Sequence, residues 1–356
     1  MFSKRIEKVT EKLNKGEAFL VLSEVNRLYF SGFKSSAGAV LVTKASAYFF
    51  TDFRYFEKAK CDISHLKVCL SKKLYSEINE ILIAENIKNL FIETDYVNLD
   101  NYSALKLAMT DTEISNDSKL CNYTRLLRSI KSTTELEAIK KAQALTDKTF
   151  LYILDFISAG KTEKQIALEM EFFMRKQGSE GVSFDFIVVS GKNSSLPHGV
   201  PCDKLIQKGD FITMDFGAVI NGYHSDMTRT VALGEISEKQ RFIYNTVLSA
   251  QEKALSEIAP NRRCCDIDKT ARDVISLAGF GDCFGHGLGH SVGLEIHEGP
   301  SFNTRDETLL TEGMVLTVEP GIYLENEFGV RIEDMVAITE KDYVNLTESP
   351  KDLIIL

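Results

Sequence analysis

Three histidines lie within twelve residues in the segment 286–300, HGLGHSVGLEIHEGP. His286 and His290 stand four residues apart, the spacing of the zinc-binding histidines in an H-E-x-x-H helix. That helix is excluded, because four close-set glycines would each cost it about 1 kcal/mol and the general-base glutamate between the histidines is missing. The segment instead predicts a glycine-rich hairpin or irregular strand. Since such a segment cannot complete a metal site alone, further ligands must come from elsewhere in the chain.

Two aspartates upstream are expected to meet across a hairpin. Asp215 lies in the apolar strand FITMDFGAVI, where an unpaired buried charge would be costly. Asp226 follows eleven residues later, beyond the turn residues Asn221 and Gly222. A hairpin about that turn would place the two carboxylates on neighbouring strands.

Two glutamates repeat this arrangement farther along the chain. Glu319 in VLTVEPG and Glu333 in VRIED are each an acid in an otherwise apolar strand, with turn residues at Asn326–Gly329 between them. Any one of the four acids, taken alone, could be a surface charge on an edge strand. Four acids in two matching hairpins, together with a histidine on a glycine-rich segment, favour a shared cation site.

The elements that must position these side chains fall into two differently built parts. The length of 356 residues favours two domains, and all six prolines and five of the six histidines fall at or after Pro197. Short apolar runs that alternate with helical stretches predict an α/β domain over residues 1–125. The predicted strands there are 18–23, 39–43, 47–52 and 89–94, and the predicted helices are 73–87 and 101–109.

The pattern changes near residue 130, where Ser132 and Glu135 form a capping-box signature that opens a long amphipathic helix. The remaining elements predict an α+β domain over 126–356, with its strands paired in hairpins rather than in βαβ order. Its further helices are expected at 162–177, 237–258 and 266–278, and its strands at 183–191, 211–220, 228–233, 314–324 and 330–339.

Composition excludes several classes of protein. The net charge of −9 and the lack of a basic stripe argue against a nucleic-acid partner. No run approaches the roughly 18 apolar residues of a membrane span, and the charged N-terminal stretch is unlike a secretory signal. Seven cysteines without C-x-x-C spacing predict reduced thiols and a cytoplasmic protein. A serine or cysteine hydrolase is disfavoured because the chain has no nucleophile elbow.

The acids and the central histidine resemble, in type and order, the five-ligand dinuclear site of the pita-bread metallopeptidases. That family includes methionine aminopeptidase, Xaa-Pro aminopeptidase and prolidase. The matching stretches are SGKNSSLPHG, MDFGAVINGYHSDMTRT, FGHGLGHSVGLEIHEGP, VLTVEPGIY and GVRIED. NRLYFSGF and TDFRY are similar to the N-terminal domain of the prolidase and Xaa-Pro aminopeptidase branch. The resemblance implies a pita-bread catalytic domain preceded by a smaller, ribonuclease H-like α/β domain.

The resemblance also implies two divalent metal ions, held by Asp215, Asp226, His290, Glu319 and Glu333. Asp226 and Glu333 would bridge the ions, Asp215 would complete one shell, and His290 with Glu319 the other. Four carboxylates and one imidazole form a hard, oxygen-rich set that suits Mn²⁺, with Co²⁺ and Zn²⁺ as alternatives. Such a pair of ions lowers the pKa of a shared water, and Glu319 would carry its proton to the leaving amine.

Further site residues follow from the same resemblance. His297 would steady the tetrahedral intermediate, and His198 would lie near the imino nitrogen of the leaving residue. For His286, a contact with the substrate and a supporting position behind the site both stay open. Tyr323 is expected to bind substrate, and Arg331 to orient Asp226 or the substrate during catalysis.

The function implied is a metal-dependent exopeptidase acting on proline-containing peptides. Xaa-Pro aminopeptidase is the first expectation and Xaa-Pro dipeptidase, or prolidase, the second. A methionine aminopeptidase and a non-catalytic binding protein are the least expected functions. The binding protein is disfavoured because all five ligand positions are intact. The first domain is expected to wall the site across a homodimer through Asp52, Arg54 and Tyr55, with a plain structural role for these three as an equal alternative.

Overall fold

The computed structural model describes residues 1–356, which divide into two compact units, Met1–Arg128 and Ser129–Leu356. Both units mix helices and strands, as predicted. None of the helices combines the length and the apolar character that a membrane crossing requires.

The N-terminal unit is built on one six-stranded sheet. Its strands are β1 (Glu17–Val21), β2 (Ala39–Thr43), β3 (Ala47–Thr51), β4 (Lys67–Leu70), β5 (Asn89–Ile92) and β6 (Glu113–Ser115). They lie in the order β4-β3-β2-β1-β5-β6. β2 runs antiparallel to both of its neighbours, and the other pairs are parallel. The helices are α1 (Phe2–Lys12), α2 (Glu24–Ser31), α3 (Phe53–Asp62), α4 (Leu74–Ala84), α5 (Leu99–Ala108) and α6 (Lys119–Ser129).

The four strands predicted in this unit are confirmed as β1, β2, β3 and β5. β4 and β6 were not predicted: the residues of β4 are only half-buried or exposed, and β6 has three residues. The outer strands therefore leave a much weaker signal than the buried central ones.

The C-terminal unit has four helices, α7 (Thr133–Phe156), α8 (Glu163–Lys176), α9 (Glu238–Leu255) and α10 (Cys264–Leu277). The predicted capping box is confirmed at the start of α7, where the Ser132 side chain accepts from the backbone N–H of Glu135 and the Glu135 carboxylate accepts from the backbone N–H of Ser132. Two short 3₁₀ helices cover Gly191–Ser195 and Gly281–Cys283.

Twelve strands complete this unit. They are β7 (Ile187–Ser190), β8 (Phe211–Phe216), β9 (Val219–Ile220), β10 (Tyr223–His224), β11 (Met227–Ala232), β12 (Gly289–Ser291), β13 (Glu298–Phe302), β14 (Val315–Val318), β15 (Gly321–Leu324), β16 (Phe328–Arg331), β17 (Asp334–Ile338) and β18 (Tyr343–Asn345). They form sheets in the orders β11-β8-β7 and β13-β12-β14-β17-β18, and two ribbons, β9-β10 and β15-β16.

Two apolar cores hold these layers together. One joins α7 and α8 to the three-stranded sheet, with Phe150, Met170 and Val188 among its buried residues. The other joins α9 and α10 to the five-stranded sheet through residues such as Val247 and Leu316. The strands that carry the candidate site residues are therefore braced from behind by buried helices.

The runs 211–220, 314–324 and 330–339 are not continuous strands, which corrects the prediction. β8 stops before Gly217, where any Cβ would lie 1.8 Å from the carbonyl oxygen of Ser225. β14 stops before Pro320, a residue without the N–H that a strand ladder needs. Each of the four predicted acids lies at or beside a strand end, as the site geometry requires.

Candidate metal centre

A cavity of about 700 Å³ opens in the C-terminal unit, within the usual size of a small-molecule site. Its lining contains nine of the ten residues that the sequence singled out in this unit: His198, Asp215, Asp226, His286, His290, His297, Glu319, Arg331 and Glu333. The tenth, Tyr323, hydrogen-bonds to His286, one of the lining residues. Side chains that are more than a hundred residues apart in sequence thus converge on one space.

Asp215 and Asp226 approach each other diagonally rather than directly across a hairpin. β8 pairs with β11 so that Asp215 lies opposite Thr228. Asp226 precedes Thr228 by two residues and therefore projects from the same face. The Asn221–Gly222 turn, with φ of 53° and 77°, closes the β9-β10 ribbon, and the same register continues into β8 and β11, where Phe216 lies opposite Met227. The predicted hairpin about this turn is confirmed.

Glu319 and Glu333 sit at matching strand ends. The last registered pair of β14 and β17 is Val318 with Asp334, so each glutamate is one residue beyond it. The backbone N–H of Glu319 donates to Leu288 O at 2.7 Å, and that of Glu333 to Thr228 O at 3.1 Å. These crossing bonds fix the glutamates against the segments that carry the histidines and the aspartates.

The predicted glycine-rich hairpin is confirmed as β12 and β13, whose register shifts after His290. β12 also lies against β14, and a Cβ at Gly289 would fall 2.0 Å from Thr317 O. Only glycine permits this approach. It brings the His290 Nε2 to 3.5 Å from both Asp226 Oδ2 and Glu319 Oε1.

The site has the chemistry that divalent ions require. One ligand atom each from Asp226, His290 and Glu333 lies within 4.8 Å of the others. Asp215 Oδ1, Asp226 Oδ1 and Glu333 Oε1 are buried without a hydrogen-bond partner. Buried polar atoms are normally paired, so three bare carboxylate oxygens around one space mark a place for cations.

The carboxylates repel one another in the absence of a cation. Burial, reinforced by the neighbouring acids, raises the pKa of Asp226 and Glu333 well above the usual range. Burial likewise raises the pKa of Glu319 to about 8, with Asp215 adding to the shift and Arg331 opposing it. Divalent ions would reverse these shifts, because a nearby positive charge favours the ionised carboxylate.

His290 is neutral and presents its lone pair to the acids. Burial, with help from His297, lowers its pKa to about 4. The Nδ1 atom lies 3.2 Å from Ser291 O, and a carbonyl can only accept, so Nδ1 carries the proton and Nε2 the lone pair. This tautomer is the one that a metal ligand needs.

A second chain of hydrogen bonds runs along the cavity wall. Arg331 Nη2 donates to Asp215 Oδ2 at 2.6 Å and its Nη1 donates to Tyr323 OH at 2.8 Å. The Tyr323 hydroxyl lies 2.9 Å from His286 Nε2, and burial raises the pKa of Tyr323 to about 12. His286 has its pKa lowered to about 4 by burial and donates from Nδ1 to Gly287 O. Arg331 therefore orients Asp215, whereas the sequence analysis expected it to orient Asp226 or the substrate.

Thr228 is a site residue that sequence reasoning missed. Its hydroxyl donates to Glu333 Oε2 at 2.7 Å and accepts from Arg331 Nε at 3.0 Å. Its position in the sequence could have indicated this role. Thr228 follows Asp226 by two residues, and residues two apart on a strand project from the same face.

Asp268 and Arg272 were missed as well. Asp268 accepts from Leu288 N at 2.9 Å, and Arg272 donates to the carbonyl oxygens of Phe284 and His286. Together they hold the glycine-rich segment from the side of α10. In sequence this pair is an ordinary i, i+4 ion pair on a helix, so it gave no sign of the role.

His198 and His297 lie at the exposed side of the cavity. The His297 ring packs edge-on against His290, with ring centroids 4.4 Å apart. His198 belongs to a loop whose Pro197 O accepts from Arg331 Nη1 at 3.1 Å. Both histidines can therefore reach a molecule in the cavity.

The three candidates in the N-terminal unit bond within that unit. Asp52 caps α3 by accepting from Arg54 N at 2.9 Å, and the two side chains form an ion pair at 2.6 Å. Tyr55 OH lies 2.8 Å from Ser36 Oγ. These bonds describe a capped helix start with an exposed ion pair.

Two family models match this chain. Residues 137–340 match metallopeptidase family M24, and residues 5–130 match the creatinase/prolidase N-terminal domain. The second match covers most of the N-terminal unit, and the first contains every acid and histidine of the cavity.

Relatives and solved structures resemble the chain over nearly its whole length. An Xaa-Pro dipeptidase of Pyrococcus furiosus is 39% identical over 90% of both chains. The structure of an Xaa-Pro dipeptidase from Bacillus anthracis is 41% identical, with a TM-score of 0.96 and complete coverage of both chains. That of an X-Pro aminopeptidase from Thermotoga maritima is 36% identical, with a TM-score of 0.90, and covers 98% of this chain and 99% of its own. The likeness confirms the predicted fold, a creatinase/prolidase-type α/β domain followed by a pita-bread domain.

Proposed function

The chain belongs to metallopeptidase family M24, and we propose that it is a metal-dependent exopeptidase that removes the N-terminal residue from peptides with proline in second position. One observation carries the proposal: four acids, three of them buried, and a neutral histidine converge on one cavity, with three carboxylate oxygens left bare. The names of its relatives, which are Xaa-Pro peptidases of two kinds, point to the proline.

Two divalent ions fit the carboxylates of the site, held by Asp215, Asp226, His290, Glu319 and Glu333. When bound, the ions would supply a water of lowered pKa and polarise the scissile carbonyl. The set is rich in hard oxygen ligands, which supports Mn²⁺ as the native metal, with Co²⁺ and Zn²⁺ as alternatives.

The chain's own residues would handle the protons and the substrate. Glu319 is our candidate for moving a proton from the attacking water to the leaving amine, since its carboxylate lines the cavity beside His290 and a carboxyl group can both accept and donate a proton. His297, beside His290, would donate to the tetrahedral intermediate. His198, on the loop after Pro197, would contact the leaving residue.

The wall of the cavity favours an aminopeptidase over a dipeptidase. A dipeptide ends in a free carboxylate directly after the proline, and such a group is usually held by a cationic side chain. The lining contains no lysine and one arginine, Arg331, whose guanidinium already donates four hydrogen bonds within the protein. A longer peptide, which carries an amide at that position, makes no such demand.

There is also room for a longer peptide. A second cavity of about 290 Å³ shares Asp185, Phe186 and Pro201 with the first. A chain that continues past the proline could run into it. Xaa-Pro dipeptidase remains the alternative function, because proteins of that name are 39% and 41% identical to the chain, whereas an X-Pro aminopeptidase is 36% identical.

The deciding experiment compares initial rates on Ala-Pro and on Ala-Pro-Ala-Ala with Mn²⁺-loaded protein. Faster release of alanine from the tetrapeptide supports the aminopeptidase, whereas activity confined to the dipeptide makes the protein a prolidase. A chelated sample and the Glu319→Ala variant serve as controls. Inactivity on both peptides, with metal bound, would overturn the Xaa-Pro proposal.

Two further expectations stay predictions. A homodimer would be seen as twice the chain mass in sedimentation equilibrium, and a monomer would contradict it. A cytoplasmic location agrees with seven free cysteines, and fractionation of the producing cells tests it.

A further inference from the structure

A buried carboxylate outside the cavity holds both ends of the loop that carries His198. Glu163, the first residue of α8, is fully buried, and neither ligand chemistry nor helix capping requires it. We propose that Glu163 is a positioning residue, which fixes the loop of residues 191–202 and through it the place of His198 in the cavity. The inference rests on the proposed function for its catalytic consequence only.

The carboxylate of Glu163 binds the first end of the loop through one oxygen. Its Oε1 accepts from Ser190 N at 2.7 Å, from Ser190 Oγ at 2.9 Å and from Asn193 Nδ2 at 3.2 Å. Ser190 is the last residue of β7, and Asn193 lies in the 3₁₀ helix that follows. The start of the loop is thereby tied to the start of α8.

The other oxygen binds the far end of the loop. Glu163 Oε2 accepts from Cys202 N and from Cys202 Sγ, each at 3.1 Å. The backbone adds to this clamp, because Lys164 N donates to Cys202 O and Glu163 N donates to Lys204 O. Two points twelve residues apart in sequence are thus joined by one side chain.

All of these partners are neutral donors. A buried carboxylate without a cationic partner is costly unless its lone pairs are satisfied, and here backbone and side-chain donors meet both oxygens. The helix N-terminus, where Glu163 stands, further favours a negative charge. A group this fully satisfied holds its neighbours in one geometry, because any shift of the loop would break several bonds.

The span between the two anchors forms part of the cavity wall. Pro197, His198, Gly199, Val200 and Pro201 all line the cavity. Two residues of β16 also hold this span: Arg331 Nη1 donates to Pro197 O, and Gly329 N donates to Ser194 Oγ. His198 itself is exposed, so its place depends on the loop and not on its own packing.

The test compares Glu163→Gln with wild-type protein, and with Glu169→Gln as the matched control. Glu169 lies on the same helix, and its carboxylate accepts from the hydroxyl of Tyr152 on α7, away from the loop. Hydrogen–deuterium exchange gives a readout that needs no catalysis. Amide exchange in residues 190–204 should accelerate in Glu163→Gln and stay unchanged in Glu169→Gln. Unchanged exchange in both variants would overturn the positioning role whatever the protein's substrate is.

Kinetics then show whether the effect passes through His198. We expect Glu163→Gln to lower kcat/KM on Ala-Pro-Ala-Ala by about 10- to 100-fold, with the metal content retained. In a His198→Ala background, Glu163→Gln should lower kcat/KM by less than about twofold. The side chain that Glu163 positions is then already missing, so the two losses do not add. An equal loss in both backgrounds would overturn the inference. If Glu163→Gln fails to fold, the same two measurements are made on Asn193→Ala and Cys202→Ala, each of which removes one side-chain donor to Glu163.

Discussion

Arg331 and Asp215 form a buried ion pair, with 2.6 Å between Nη2 and Oδ2. Both residues are at least nine-tenths buried, and the second oxygen of Asp215 is bare. One side of this carboxylate is therefore committed to an arginine and the other is free for a metal ion. The pair lets a residue of the chain supply part of the positive charge that the acids require.

Removing the arginine should destabilise the metal-free protein strongly. Arg331→Met leaves Asp215 as an uncompensated buried charge, and we expect a loss of about 3–5 kcal/mol in the free energy of unfolding. Urea denaturation of chelated protein measures it, with the exposed Arg241→Met as control. Added Mn²⁺ should restore part of the loss, because the ion replaces the missing cation. A loss no larger than that of the control would contradict the argument.

Glu319 should be needed for turnover beyond any effect on metal binding. Glu319→Gln keeps the shape of the side chain but cannot accept and release a proton, so we expect kcat to fall by about 10²-fold or more. Activity on Ala-Pro-Ala-Ala, normalised to the bound metal measured by mass spectrometry, checks this. Glu325→Gln, at an exposed turn, should behave as wild type. Full activity per bound metal in Glu319→Gln would refute the proton-transfer role.

A single methyl group at residue 289 should disturb the site. Gly289→Ala places a Cβ 2.0 Å from Thr317 O, so β12 must move away from β14 and take His290 with it. We expect a loss of about 1–3 kcal/mol in stability and a weaker affinity for Mn²⁺, measured by thermal unfolding and calorimetric titration. Gly285→Ala is the matched control, because a Cβ there meets no atom within 4 Å. Equal behaviour of the two variants would count against the close approach.

The metal-free protein should lose stability as the pH rises from 6.5 to 8. In the unfolded chain Asp226, Glu319 and Glu333 are ionised throughout this range, whereas in the folded protein their raised pKa values keep protons on them, on Glu319 up to a pKa of about 8. The folded state then binds more protons, so stability falls with pH, by about 2 kcal/mol for Glu319 alone.

Urea unfolding of chelated and Mn²⁺-loaded protein at both pH values tests this dependence. His286 and His290 oppose this fall by only about 0.4 kcal/mol each, because the pKa of a histidine in an unfolded chain is about 6.5 and burial lowers the pKa of both rings in the folded protein. The Mn²⁺-loaded protein should lack the fall, since its carboxylates bind ions instead of protons. A flat profile in the chelated protein would show that the carboxyls ionise normally.

Much of the site could be predicted because its residues are unusual for the local structure in which they lie. Acids within apolar strands and histidines among glycines have no simple packing role, and the structure gathers them in one cavity. The turn residues at 221–222 and the capping box at Ser132 gave the element boundaries through backbone chemistry alone.

The sequence did not predict the long-range contacts of polar residues that already fit a local pattern. Glu163 follows a helix cap, Thr228 lies in a strand, and Asp268 faces Arg272 one turn away on a helix. Each satisfies a local pattern, so nothing in that pattern indicates its second, distant partner. The strand breaks at Gly217 and Pro320 were missed for a related reason, since they depend on which backbone lies opposite.

The proposed metal ligands are spread from Asp215 to Glu333, and none of the strands near them holds more than a part of the set. No fragment of the chain that ends before residue 333 can assemble the centre. On a ribosome that adds roughly 5–20 residues per second, about ten seconds separate the first of these residues from the last. If the proposed function is right, a nascent chain cannot hydrolyse peptides until Glu333 has been made, and loss of the segment that carries Glu333 would abolish the activity.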